Sequence, residues 1–465
     1  MRYISTRGRV APASFEEVLF AGLAADGGLY VPERWPRLDR DRLAELQTAS
    51  YQEVATFVLE PFLEDALDDV ELRKLIDDAY STFRHPAITP VKQLDAAQWM
   101  MELFHGPTHA FKDVALQLLG LLFEHFLARR DGTITVIGAT SGDTGSAAIA
   151  TTAGRAHMRT LILHPKDRVS EIQRRQMTTV EAANIHNVAV EGTFDDCQAL
   201  VKAMFGDEAF RRRQNLSAIN SINWGRIMAQ IVYYVTASLA LGGPWRRLRF
   251  CVPSGNFGNV YAGYAAARMG LPVEQLIVAT NRNDILARFF ETGIYQAGDV
   301  APTISPSMDI QVSSNFERLL FDLSDRDGRR VQELMAGFAE EKMLSVDGDA
   351  LARAKELFSA CRVGEDQTLA AMRETLEITG EMIDPHTAVG IAAAKAVAAE
   401  GEAPIVTLAT AHPAKFPEAF ERATGRPPPM PPELEALMSK PERLTVLPND
   451  LTAVQAHIDQ LPMAN

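Results

Sequence analysis

The sequence predicts an α/β protein of two lobes, each with a mainly parallel sheet covered by helices, preceded by a mostly helical N-terminal domain. Three observations carry this expectation. Between about residues 95 and 410, short apolar runs alternate with Ala-rich stretches of helical periodicity, the rhythm of strand and crossover helix. Those runs are apolar throughout rather than alternating, as strands covered on both faces are. Before residue 90 the apolar residues recur at helical spacing instead. A chain of 465 residues exceeds what one compact core organises, so more than one domain is expected.

Taken in order, SFEEVLFAGLA places apolar residues at helical spacing after Ser14, and ADGGLYVPERWP ends it with a glycine pair and two prolines. ELRKLIDDAYSTF is a second amphipathic helix, and together they define an N-terminal domain over 1–90. Seven strands are expected over 91–424: WMMELF (99–104), TITVIGAT (133–140), TLILHP (160–165), HNVAVEG (186–192), LRFCVPSG (248–255), QLIVATN (275–281) and APIVTLAT (403–410). The extension 425–465 opens with RPPPMPPELEALMSKPERL, too proline-rich for a core strand and expected to run as a surface connector.

Composition excludes several functions. A net charge of −14 argues against nucleic acid and anionic membrane as partners, so an anionic ligand has to be held by local groups. The longest apolar stretch, Val114 to Ala128, is broken by Gln117, Glu124 and His125, and MRYISTRGR lacks an apolar signal core, so neither a membrane span nor export is expected. Three cysteines, Cys197, Cys251 and Cys361, form no CxxC pair, which points to a reducing cytoplasm. None of the ten histidines stands in HExxH or another ligand spacing, so no metal site is expected.

Two glycine-rich segments each follow an expected strand and open an expected helix: GATSGDTGSAAIATTAG (138–154) and VPSGNFGNVYAGYAAARMG (252–270). Small residues there let backbone N–H groups converge at a helix N-terminus, where the macrodipole favours an anion; the plain alternative is a chain-reversing turn. Neither GxGxxG nor GxxxxGK[ST] occurs, which argues against dinucleotide and P-loop chemistry. In ELFHGPTHAFKDVALQLLG, Lys112 stands between Phe111 and a run of aliphatic residues. It either snorkels to water or serves as a desolvated amine, a nucleophile for carbonyl groups. An amine for an aldehyde beside N–H cradles for a phosphate is the arrangement expected of a pyridoxal phosphate enzyme.

These segments carry a resemblance. SFEEVLFAGLAADGGLYVPE, ELFHGPTHAFKD, GATSGDTGSAA, NSINWGRI (220–227), VPSGNFGN, PSMDIQVSSNFERLL (306–320) and TAHPAKFPEA (410–419) resemble, in order, the threonine synthase family of the tryptophan-synthase-β-like pyridoxal phosphate enzymes, in its longer branch with an N-terminal helical extension. The resemblance implies fold type II, with the cofactor in the cleft between the lobes. It implies that Lys112 holds the cofactor and moves protons during turnover. Ser254, Gly255, Asn256, Phe257, Gly258 and Asn259 bind the cofactor phosphate, and the Thr410 hydroxyl faces the pyridine nitrogen. Ser141, Gly142, Asp143 and Thr144 hold the substrate's α-carboxylate, although Asp143 is equally readable as a helix N-cap. Ser221, Asn223 and Arg226 bind a second phosphate, that of O-phospho-L-homoserine, with Lys415 and Asn315 as further candidates. The implied reaction removes the α-proton, expels phosphate from Cγ and adds water at Cβ to give L-threonine. His109, where the family commonly has an apolar residue, either tunes the lysine or packs against its loop.

The competing expectations are a dehydratase or β-replacement enzyme of the same group, and a synthase-like protein that binds pyridoxal phosphate and phosphorylated metabolites without making threonine. An NAD-linked dehydrogenase lacks its fingerprint. A monomer or homodimer that closes on its substrate is expected.

Overall fold

The computed structural model describes residues 1–462. The chain divides into two compact units. One comprises Met1–His105 and Ser221–Pro428; the other is built on Gly106–Asn220 and completed by the tail from Pro429.

The first unit is organised on a six-stranded sheet. Its order in space is Phe358–Arg362, Val273–Thr280, Leu248–Pro253, Ile405–Ala409, Gln98–Glu102 and Val91–Gln93. All neighbours run parallel except the last pair. The central strand Leu248–Pro253 is buried along its whole length, which is why its sequence shows no alternation. The second unit holds a five-stranded, fully parallel sheet ordered Thr445–Pro448, Ile185–Glu191, Met158–Pro165, Ile134–Ala139 and Leu216–Ser217. Every residue of Met158–Pro165 is buried. All seven expected strands form, their ends shifted by no more than two residues.

The strands not anticipated are short or at edges: Phe358–Arg362, Val91–Gln93, Leu216–Ser217 and Thr445–Pro448, with two separate two-stranded antiparallel ribbons. The tail departs from the surface connector expected of it. Residues 426–444 form no strand, but Thr445–Pro448 extends the second sheet beside Ile185–Glu191. Helix Leu451–Gln460 then buries Val454 and Ile458 completely against Leu161, Leu163, Val188, Val190 and Met204. Two aliphatic side chains buried in this way stabilise the unit by about 3–6 kcal/mol. Pro448 ends an edge strand, where its missing N–H costs no ladder bond.

In the N-terminal segment, helices Phe15–Ala21, Tyr51–Leu63 and Asp69–Tyr80 each begin with a reciprocal capping box, on Ser14 with Glu17, Ser50 with Glu53 and Asp68 with Glu71. A short ribbon, Tyr3–Ser5 with Tyr30–Pro32, accompanies them. Helix Lys112–Arg129 is buried nearly all round, so Gln117 does not interrupt it. No helix among the described residues is long and apolar enough to cross a membrane.

Candidate active site

In the second unit, Lys112 is the first residue of helix Lys112–Arg129 and is 8% exposed, so it does not snorkel to water. Its placement is set by the residue after it. Asp113, fully buried, accepts from the Thr108 amide and the Thr108 hydroxyl, each at 2.7 Å. It lies so close to Gly106 that a Cβ there would come within 2.4 Å of it. This pins the turn Gly106–Phe111, in which buried His109 takes a left-handed φ of 58°. His109 thus takes part in the geometry of the turn that leads into Lys112. Lys112 Nζ lies 3.4 Å from Asp143 Oδ2 and 5.1 Å from the centroid of the Phe111 ring.

Asp143 is not an N-cap. The cap of helix Asp143–Thr152 is Gly142, at φ 152°, and the helix has no side-chain cap. Asp143 Oδ1 instead accepts from Gln173 Nε2 at 2.8 Å. The loop owes its shape to Thr140, whose hydroxyl oxygen accepts from the amides of Gly142 and Gly145 at 3.0 and 2.9 Å. Ser141 is exposed and Thr144 half-buried at the mouth of this loop. A helix start of this kind can hold a carboxylate through the first-turn N–H groups that Thr140 does not already engage.

The first unit carries the other predicted residues. Past strand Leu248–Pro253, Ser254 is anchored to Ala279 through its amide, and its hydroxyl accepts from the Phe257 amide at 3.2 Å. Phe257 is left-handed at φ 62°, and its ring is buried among Phe290, Phe316 and Phe358. Helix Gly258–Arg268 follows with no side-chain cap. Asn259, one residue in, receives the hydroxyls of Tyr233 and Tyr234 on its Oδ1, while its buried Nδ2 has no hydrogen-bond partner among the described residues. An uncapped helix start with an orphaned amide donor fits an anion the size of a phosphate ester, and no cation is needed.

Thr410 sits buried past the end of strand Ile405–Ala409. Its amide donates to Thr387 Oγ1 at 3.2 Å, and the Thr387 hydroxyl in turn bonds Asp384, the cap of helix Pro385–Ala396. His386 Nε2 accepts from the Ser307 amide at 3.1 Å, so its Nδ1 carries the proton it donates to Asp384 at 2.7 Å.

In the segment 220–226, Ser221 meets Ser314 hydroxyl to hydroxyl at 3.0 Å. Asn223 is fully buried, caps helix Trp224–Ala240 on the Gly225 amide and donates to the Leu19 carbonyl at 2.8 Å. Arg226, 4% exposed, forms no ion pair and no side-chain hydrogen bond with any described residue. Burial pushes its guanidinium down to about 10, opposed only by the neighbouring Tyr233. An uncompensated buried cation is costly, so this arginine has the character of a receptor for an anion. Asn315 is fully buried and bonds the Asn256 carbonyl and Arg318; Lys415 is fully buried as well.

The sequence reading missed Asp113, Thr140 and Gln173, which set the lysine and its loop, and the Asp384–Thr387 pair behind Thr410. Asp113 had a readable signal in the FKD triplet and Thr140 stands next to Ser141 in the chain; Gln173 and the Asp384–Thr387 pair become neighbours of the site only through the fold.

Three regions match known families: residues 2–80 the threonine synthase N terminus, 83–336 the pyridoxal-phosphate dependent enzymes, and 387–458 the threonine synthase C-terminal region. The chain is 52% identical over 461 residues to threonine synthase of Pseudomonas aeruginosa, covering 99% of this chain and 98% of that one. The crystal structure of pyridoxal-phosphate-bound threonine synthase from Brucella melitensis superposes with a TM-score of 0.97 at 49% identity, covering 98% of each chain. Yeast threonine synthase superposes with a TM-score of 0.94 at 40% identity, covering 99% of this chain and 98% of that one. By its lysine turn, its two uncapped helix starts and these matches along its whole length, the chain belongs to the threonine synthase family of pyridoxal-phosphate-dependent enzymes.

Proposed function

We propose that the chain converts O-phospho-L-homoserine and water to L-threonine and phosphate in the cytoplasm, as a monomer or homodimer, with 91–424 as the catalytic core between the N-terminal domain 1–90 and the extension 425–465. The observation that carries the substrate is Arg226. The loop Ser254–Asn259 supplies one anion cradle without any cation, enough for the cofactor's phosphate. A buried, unpaired arginine on a separate segment then calls for a second phosphate, which a serine or threonine substrate lacks.

Bound through Lys112, pyridoxal phosphate supplies the electron sink that acidifies the substrate's α-hydrogen. Ser254, Gly255, Asn256, Phe257, Gly258 and Asn259 would hold its phosphate, and the Thr410 hydroxyl would face the ring nitrogen. The Lys112 amine takes the proton from Cα, and Asp143 beside it balances the charge the amine gains. The loop Ser141, Gly142, Asp143 and Thr144 holds the α-carboxylate through the N–H groups that Thr140 does not engage and through the Ser141 and Thr144 hydroxyls, the Gly142 N–H being given to Thr140. Ser221 and Arg226 bind the substrate phosphate while Asn223 fixes their segment by capping the helix.

The test is release of phosphate and formation of L-threonine from O-phospho-L-homoserine, beside Arg226→Met. Equimolar products are expected, with KM raised about a hundredfold in the variant by the loss of a charge-assisted pair. Cofactor binding without phosphate release would remove the substrate assignment.

A further inference from the structure

Of segment 313–318 only Asn315 is among the predicted ligands, as a further candidate for the second phosphate, yet the segment touches both predicted ligand sets. The Ser313 hydroxyl donates to the Gly255 carbonyl at 2.5 Å. Asn315 holds the Asn256 carbonyl twice, through its amide nitrogen and its Nδ2, each at 3.1 Å. Ser314 donates to Asn256 Oδ1 at 3.2 Å and meets Ser221. In a planar trans peptide, C=O and N–H point to opposite sides. Fixing the Gly255 carbonyl on Ser313 therefore aims the Asn256 N–H away from the clamp, outward from the loop.

Behind this clamp stands Arg318, fully buried, on helix Phe316–Leu323. Its guanidinium divides between three acceptors: the Tyr30 carbonyl at 3.0 Å, the Ile222 carbonyl at 2.6 Å, and Asn315 Oδ1. One planar, five-donor group thus spans the N-terminal ribbon, the segment that carries Ser221 and Arg226, and the residue that grips the Asn256 carbonyl. A lysine ammonium cannot reproduce that fork. Nothing in the chemistry of the reaction demands an arginine here.

We propose that Arg318, with Ser313 and Asn315, is a positioning group that locks the cofactor-phosphate loop Ser254–Asn259 and the substrate-phosphate segment 221–226 into one frame, setting the spacing between the two phosphates. This rests on the reading of those two segments given above. Ser313 sets the aim of one N–H in the cradle; Arg318 sets the relation between the cradles. The N-terminal ribbon, through Tyr30, is a fixed part of that frame.

The test uses the full chain carrying Ser313→Ala, Ser313→Thr or Arg318→Lys. Three quantities are read: the dissociation constant for pyridoxal phosphate by tryptophan quenching, KM and kcat for O-phospho-L-homoserine, and Tm without cofactor. Ser313→Ala is expected to weaken the cofactor about tenfold with KM within about twofold, and Ser313→Thr to restore it. Arg318→Lys is expected to raise the cofactor constant and KM together, each about tenfold, with kcat within about threefold. Cofactor constants unchanged in both variants, or a fall in Tm with unchanged cofactor constants, would overturn the proposal. Should Arg318→Lys fail to fold, Asn315→Ala takes its place, since it cuts the link between Arg318 and the loop. If the unmodified chain releases no phosphate, the substrate reading fails separately, and the cofactor constants alone decide the clamp.

Discussion

At Thr140–Gly145 a single hydroxyl inside the loop gathers two backbone amides, and charged groups, Asp143 and Lys112, stand at the helix start. At Ser254–Asn259 the loop carries no charge and is held from outside, by Ser313 and Asn315 on its carbonyls and by a phenylalanine cluster around Phe257. Both follow a buried parallel strand, both open an uncapped helix, and in sequence both are short glycine-rich turns. One sequence pattern is thus braced in two different ways. The first loop is braced chiefly by its own Thr140, with Gln173 on Asp143, and places charged side chains at the helix start; the second takes its support from a distant segment and carries N–H groups without a charge.

The strongest test of that division is Lys112→Ala. If the first loop serves chemistry and the second serves holding, kcat/KM falls by about four orders of magnitude or more while pyridoxal phosphate still binds, weakened but measurable by tryptophan quenching. Complete loss of cofactor binding would mean that Ser254–Asn259 does not hold the phosphate by itself.

The next largest contrast lies in two glycines. At Gly142, φ is 152° and a Cβ would stand 2.4 Å from Gln173, so Gly142→Ala is expected to cost about 3 kcal/mol in urea unfolding. At Gly258 the backbone is unstrained and the nearest atom to a Cβ is Asn315 Nδ2 at 3.2 Å, so Gly258→Ala is expected to cost under about 1 kcal/mol. Equal costs would erase the distinction between a strained, tightly packed loop and an unstrained one.

Thr140→Val keeps the shape of a buried residue and removes its oxygen. Two amides lose their acceptor, for a cost of about 2 kcal/mol, and the α-carboxylate contact should loosen as a rise in KM with little change in cofactor affinity. A shift in cofactor affinity instead would join the two loops into one functional element.

What could be read from the sequence follows the same divide between local and distant support. The seven central strands were legible because burial on both faces leaves them apolar throughout, and Lys112 because a lysine at the head of an apolar helix is conspicuous. Phe358–Arg362 and Thr445–Pro448 were not, since edge strands are short and half-exposed and so carry no run of apolar residues. Ser254–Asn259 was legible as a glycine-rich turn opening a helix, whereas its clamp lies nearly sixty residues away, and no spacing rule links VSSNFE to SGNFGN. Asn315, expected on the substrate, holds the Asn256 carbonyl and receives Arg318. Nothing local in the sequence separates those two uses of a buried amide.

The smallest predicted effect compares the units by their titration. Burial holds His412 of the first unit and His186 of the second neutral, each pushed down from 6.5 to about 4, with nearby arginines adding to the shift. In each case the unfolded chain binds a proton before the folded one does. Stability from each is therefore fully present above the unfolded value of 6.5 and is lost as pH falls towards 4. The loss is on the order of 1 kcal/mol per histidine, read as a falling urea midpoint across that interval. His412→Gln and His186→Gln should each flatten the slope, and together do so additively, because the two residues lie in different cores. His412 lies two residues after Thr410, capping the turn Pro413–Lys415, so His412→Gln should also move the pH profile of cofactor binding while His186→Gln leaves it alone. A profile moved equally by both would mean that the slope reports global unfolding rather than the state of the Thr410 strand end.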